Sequence, residues 1–325
     1  MLKSPPALLL SIGLVVCSAA SSAQTYPSRP IRMIVPVSPG ATTDTLARAV
    51  AAKLAESFGQ QVVVDNRAGA SGVIGTELVA RAAPDGHTIL VITSTHTINP
   101  SLQKSLPFDP VRDFTPIILM ASTPTVLIVH PAVPANSVKE LVALARAKPG
   151  QLNFGSGGTG TSTHLVAELF RSSAGIDINH VPYKGAAPAL TDVLAGQLAF
   201  MFSGIVPALP QIRGGKVRAL GVTSPARSSA APEIPTLAES GLPGFAFGLW
   251  YGVLGPAGLP GPVAEKLNTE IRRAMNLPDV RARLATEGAD IVASTPQGLL
   301  DHMRQELATY RKLVQSAGIK PADGK

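Results

Sequence analysis

Cysteine is almost missing from this chain: Cys17 is the only one in 325 residues. Disulfide bracing and paired-thiol chemistry are therefore excluded. Aromatic residues make up only 4%, too few for the stacking platforms that single-stranded nucleic acids need. The formal charge is +7, but the lysines and arginines are scattered and no basic block exists, so a nucleic-acid partner is not expected. Also absent are a Walker loop, a G-x-S-x-G elbow and an H-E-x-x-H pair, the local signatures of nucleotide, esterase and zinc chemistry. No cofactor and no metal are expected, and nothing points to an enzyme.

Long hydrophobic runs are lacking as well, except at the amino terminus. Lys3 precedes an apolar segment from Ala7 to Val16, and Ser21-Ser22-Ala23 puts small residues at cleavage positions. That is the pattern of a secretory signal peptide, residues 1–23, cut after Ala23. About ten apolar residues cannot span a membrane, which takes about 20. Lipid attachment through Cys17 is disfavoured by Val16 immediately before it. An exported chain without cysteine is the expectation.

A mature chain of about 300 residues is too long for one ordinary core and suggests two domains. Strand and helix patterns alternate, as in an α/β fold with largely parallel sheets. Leu46, Val50, Leu54 and Phe58 recur every four residues and make one helical face that stops at Gly59. Strands are expected at Ile31–Val37, Gln61–Val64 and Thr88–Thr93, and the next two, Phe114–Met120 and Val126–Val129, join around Ser122-Thr123-Pro124. The first interdomain crossing is placed there, and Phe247–Leu254 crosses back. Helical patterns over Val263–Met275, Asp279–Glu287 and Pro296–Ala317 close the chain.

Two loops share one design. Ser38-Pro39-Gly40-Ala41-Thr42-Thr43-Asp44 and Gly155-Ser156-Gly157-Gly158-Thr159-Gly160-Thr161-Ser162 each leave an apolar strand and open an amphipathic helix. Unpaired N–H groups and the positive end of the dipole sit at a helix start, and hydroxyls add donors. Two such ends facing each other would grip a small anion without a charged side chain. Ser94-Thr95-His96-Thr97 forms another polar stretch at a strand's carboxyl end, where open α/β sheets bind ligands.

The chain also carries an ordered series of short motifs. Ile34-Val35-Pro36, Pro39-Gly40 and Thr43-Asp44 are followed by Asp65-Asn66-Arg67, Gly72-Val73-Ile74-Gly75 and Pro84-Asp85-Gly86. Then come Asn99-Pro100, Leu106-Pro107-Phe108-Asp109-Pro110, Asp113-Phe114, Gly155-Ser156, Gly160-Thr161, His164-Leu165 and Val181-Pro182-Tyr183-Lys184-Gly185. Arg218-Ala219-Leu220, Val222-Thr223, Pro235-Thr236 and Gly241-Leu242-Pro243-Gly244 complete it. Over nearly the whole mature chain this resembles the Bug family, the extracytoplasmic solute receptors related to tripartite tricarboxylate transporters.

The resemblance implies a two-lobed, class II-like periplasmic-binding-protein fold. Each lobe would be a mostly parallel sheet flanked by helices, with a hinge between the lobes. Residues 24–123 plus 248–325 would form lobe I, and residues 124–247 lobe II. It implies a monomeric periplasmic receptor for a small organic acid, delivering it to membrane permease subunits. A ligand sensor for a membrane signalling receptor and a periplasmic hydrolase are the alternatives. By motif, the first arm of the pincer is Ser38, Gly40, Ala41, Thr42, Thr43 and Asp44. The second arm is Ser156, Gly158, Thr159, Gly160, Thr161, Ser162 and His164. Two departures from the family pattern stand out: Ala41 replaces a usual glycine, and Ser203 replaces a common aspartate after Phe202. Without that aspartate the cleft would favour a di- or tricarboxylate, or an aromatic carboxylate, over an amino acid.

Several residues carry two readings. Asp44 either meets the ligand or supports its own helix start. His164 and His96 either line the site or are satisfied by backbone. Trp250 and Tyr251 either flank the cleft or pack at the crossing. The second loop has the letters of a dinucleotide fingerprint, but Asp177 precedes the next strand instead of ending it, which argues against nicotinamide binding.

Overall fold

The computed structural model describes residues 26–286 and 288–316. The signal-peptide segment and Cys17 lie outside these residues. Strands β1 (Ile31–Val35), β2 (Val62–Asn66) and β3 (Thr88–Thr93) run parallel, linked by helices α1 (Thr42–Phe58) and α2 (Val73–Ala80). α1 forms because Leu46, Val50 and Leu54 stack on one face and are buried against that sheet. Burying each such side chain stabilises by about 1.5–3 kcal/mol. Gly59 ends the helix in a left-handed conformation (φ 63°), its N–H bonding the Ala55 carbonyl at 3.1 Å.

A short helix, α3 (Thr95–Leu102), follows β3 directly. The polar stretch after β3 is therefore a helix start. The chain then enters β4, one continuous strand from Phe114 to Val129 where two were expected. Its first part, through Pro124, pairs antiparallel with β9 (Gly248–Pro256), which also pairs with β3. From Thr125 onward β4 pairs instead with β7 (Phe200–Gly204) and β8 (Arg218–Val222). A single strand thus belongs to two sheets and joins the two lobes.

The second lobe repeats the device of the first. β5 (Asn153–Ser156) lies parallel to β6 (Asn179–Pro182) and β7. Helices α4 (Val138–Ala147), α5 (Ser162–Ala174), α6 (Ala186–Leu194) and α7 (Ile205–Arg213) flank this sheet. Pairing is parallel among the strands that carry crossover helices and antiparallel around β4 and β9, so each sheet is mixed. Phe154, Phe170, Phe200 and Phe202 fill the core of this lobe with edge-on and stacked rings. Helices α8 (Gly261–Asn276), α9 (Pro278–Thr286) and α10 (Pro296–Ser316) return to the first lobe, and β10 (Asp290–Ile291) pairs with β4. Among the described residues no helix is long and apolar enough to cross a membrane.

Candidate functional site

Both glycine-rich loops end where helices begin, and both face the gap between the sheets. In the first arm Gly40 has φ 83°, while Ala41 is extended (φ −73°, ψ 159°). Alanine therefore fits at position 41 without backbone strain. In the second arm Gly158 has φ 121°, and a Cβ there would lie 2.9 Å from the Tyr183 carbonyl. Only glycine lets that loop pass the neighbouring strand end.

The gap holds two connected chambers. The inner one, about 70 Å³, is walled by Ala41, Thr42, Thr43, Ser162, Ser203 and Tyr251, among others. The outer one, about 300 Å³, is walled by residues 69–72, Thr76, His96, Asn99, Gln103, Gly158, Thr159 and Lys184, among others. Thr95, Thr161 and Gly185 border both. The starts of α1, α3, α5 and α6 reach the inner chamber, and the start of α2 the outer one. Among the described residues neither chamber is lined by an aspartate or glutamate, and Lys184 is the one lysine or arginine lining them. Aligned N–H dipoles without a carboxylate make the cavity a site for negative charge.

Within the inner chamber the Thr43 hydroxyl has no partner among the described residues, and the first-turn N–H groups of α1 have none within their helix. Thr42 bonds the hydroxyl of Tyr251, which also pairs with Thr123 at 3.1 Å. Tyr251 is fully buried, and burial pushes its phenol up to about 12, so it stays protonated. Ser203 is buried too, its hydroxyl donating to the Gly204 carbonyl at 3.1 Å. Sequence patterns left Tyr251 beside Trp250 as a crossing pair; alternation along β9 separates them. Tyr251 faces the chamber, while Trp250 packs edge-on against His302 and donates to Glu306.

Six residues named from sequence do not line either chamber: Ser38, Asp44, Ser94, Ser156, Gly160 and His164. The Asp44 carboxylate accepts from Gly40 N–H and Asn66 at 3.0 Å and pairs with Arg48, so it braces the loop from behind. Burial alone would raise its pKa, but those partners hold it below the usual carboxylate range. His164 accepts from Gly160 N–H through Nδ1 at 3.3 Å and stacks on His180, their centroids 4.2 Å apart. Ser156 pairs with His180 at 2.6 Å and accepts from Gly158 N–H. Burial depresses both imidazoles to about 4, keeping them neutral under the second arm. The hydroxyls of Ser94 and Ser38 are buried and have no partner among the described residues.

Thr161 borders both chambers, but its hydroxyl donates to the Gly158 carbonyl at 2.7 Å and caps α5. It shapes the arm and is not a free donor. His96 does line the outer chamber: Nε2 donates to the Pro110 carbonyl at 2.8 Å, and burial lowers its pKa to about 4. Two pairs of residues bond across the gap among the described residues. Ser162 N–H donates to Thr95 Oγ1 at 3.1 Å beside the inner chamber, and the Ser71 hydroxyl donates to the Thr159 carbonyl at the rim. Residues 69–72, Asn99 and Gln103 were not expected in the site. Pro100 obscured the helix that carries the last two.

The family model of tripartite tricarboxylate transporter family receptors matches residues 46–319. Protein BugT of Bordetella pertussis is 38% identical over 319 residues, covering 96% of this chain and 98% of that one. A solved structure from R. palustris with adipate has a TM-score of 0.89 at 35% identity, covering 91% of this chain and all of the other. MatC from Rhodopseudomonas palustris with bound malate has a TM-score of 0.86 at 33% identity, covering 89% of this chain and all of that one.

Proposed function

The chain belongs to the tripartite tricarboxylate transporter family of receptors, and from that premise we propose that its cleft takes up one small organic acid for a membrane permease. A solute receptor of this family binds and does not turn over its ligand. The reading is carried by one observation: helix starts from both sheets converge on a cavity that, among the described residues, no carboxylate side chain lines. One carboxylate of the acid enters the inner chamber, where it meets Thr43 and the first-turn N–H groups of α1. The remainder extends into the outer chamber toward Lys184. The relatives bound to adipate and malate support a di-acid of similar length.

Ser203 directs the choice among acids. An ammonium group desolvated in this cleft needs an acceptor of negative charge, and Ser203 offers a hydroxyl already bonded to its neighbour. Asp44 is turned away. The ligand is therefore a carboxylate without an amino group, either a di- or tricarboxylate or an aromatic acid. Lobe closure follows β4 and β9, with residues 24–123 and 248–325 moving against residues 124–247, and cleavage after Ala23 releases the receptor into the periplasm.

A thermal-shift screen tests the proposal. Succinate, malate, adipate, citrate and benzoate are compared with aspartate and glutamate. A ligand that binds only the folded state raises the melting temperature by mass action, about 2.7 kcal/mol at a hundredfold excess over Kd. Stabilisation by one or more of the first group is expected. Stabilisation by the amino acids alone would overturn it.

A further inference from the structure

Ser71 sits in backbone that L-amino acids avoid. Gly69, Ala70, Ser71 and Gly72 have φ of 130°, 45°, 56° and 87° in succession. Left-handed backbone at a residue with a side chain costs free energy and persists only where the surroundings over-determine it. Two contacts hold Ser71. Asn99, buried on α3, donates to the Ser71 carbonyl at 3.1 Å, and its own Oδ1 accepts from Gln103. The Ser71 hydroxyl donates to the Thr159 carbonyl in the loop between β5 and α5. The first contact stays within one lobe. The second crosses the mouth of the outer chamber, which residues 69–72 and Thr159 help to wall.

A glycine would adopt the backbone at position 71 at lower cost. What serine adds there is a hydroxyl, and that hydroxyl reaches the opposite lobe. We propose that Ser71 is a rim latch: its bond to Thr159 holds the closed cleft and sets how fast a bound acid leaves. The inference rests on the organic-acid reading for the occupant of the cleft. A ligand enters the open cleft before the latch forms, so association does not depend on it. Release requires the bond to break, so dissociation does. The deeper cross-gap pair, Thr95 with Ser162, borders the inner chamber and so the proposed carboxylate position; Ser71 borders only the outer chamber, which takes the remainder of the acid, and its hydroxyl is spent on Thr159.

The test measures association and dissociation rates of malate and adipate by stopped flow on the wild type, Ser71→Ala and Ser71→Gly. Both variants are expected to release the acid three- to tenfold faster, with association rates within twofold of wild type. The glycine variant separates the hydroxyl from the backbone, because it relieves the left-handed strain that alanine keeps. Wild-type dissociation rates in Ser71→Ala, or a loss confined to association, would overturn the latch. Should the wild type bind neither acid, solution scattering of the ligand-free proteins decides. A compact fraction in the wild type that Ser71→Ala loses supports the latch even though the acid reading fails. No compact fraction, or one the variant keeps, overturns it.

Discussion

The carboxylate of Asp44 accepts the backbone N–H of Gly40 at 3.0 Å, which folds the first arm of the cleft back on its own helix. The acid that sequence places in the ligand pincer is thereby turned behind it. Its other contacts, to Asn66 and Arg48, continue the same brace.

Replacing Asp44 by Asn puts an amide N–H₂ among donors. We expect a stability loss of about 1–3 kcal/mol from the mismatched buried contacts, read as a lower denaturation midpoint. Affinity should fall by a similar factor for every acid that binds. A change in preference between amino acids and plain carboxylates would instead place Asp44 against the ligand.

Thr43 and Thr161 separate a ligand contact from a scaffold contact. Thr43→Ala removes the hydroxyl without a protein partner, and losing a bond to a charged group costs about 1.5–3 kcal/mol, roughly ten- to a hundredfold in affinity. Thr161→Ala removes the cap of α5 and should cost about 1 kcal/mol in stability. Calorimetry with the acid identified by thermal shift checks both. Normal binding by Thr43→Ala would remove the first arm from the site.

Acid should destabilise the protein well above the carboxylate range. Burial lowers the pKa of His96 to about 4, and it does the same for His164, helped by Arg171, and for His180, helped by His164. Unfolding returns each to 6.5, so the unfolded chain takes up protons first as pH falls. Stability is full above 6.5 and is lost between 6.5 and about 4, on the order of 3 kcal/mol for His96 alone. Melting temperatures from pH 8 to 4 should fall most steeply in that interval. A flat profile there would mean that these rings are not buried neutral.

Ser203→Asp should reverse selectivity. A carboxylate buried beside the inner chamber repels a bound anion and supplies the partner an ammonium group needs. Acids that bind the wild type should bind at least tenfold more weakly, by titration. If the variant keeps wild-type affinity for every acid, position 203 does not read the ligand.

Local signals suffice for the parts of this protein that local rules govern. The four-residue spacing of Leu46, Val50 and Leu54 specifies a buried helical face wherever the helix lies, and a glycine- and hydroxyl-rich turn between strand and helix marks each arm. Alternation of such units implies the α/β class. Other features depend on partners far along the chain. β4 is continuous because β9, β7 and β8 each pair with part of it; the Ser122-Thr123-Pro124 stretch by itself reads as a break. Pro100 removes a helical hydrogen bond and hides α3, which packing against α10 nonetheless sustains. The direction of Asp44 was decided by Asn66, and that of His164 by His180, neighbours that only folding brings near. Ser71 meets Thr159 across 88 positions of sequence. Periodicity determines which face of an element is buried, but which side chain turns toward the cleft is set by contacts between sheets, and those exist only in the tertiary structure.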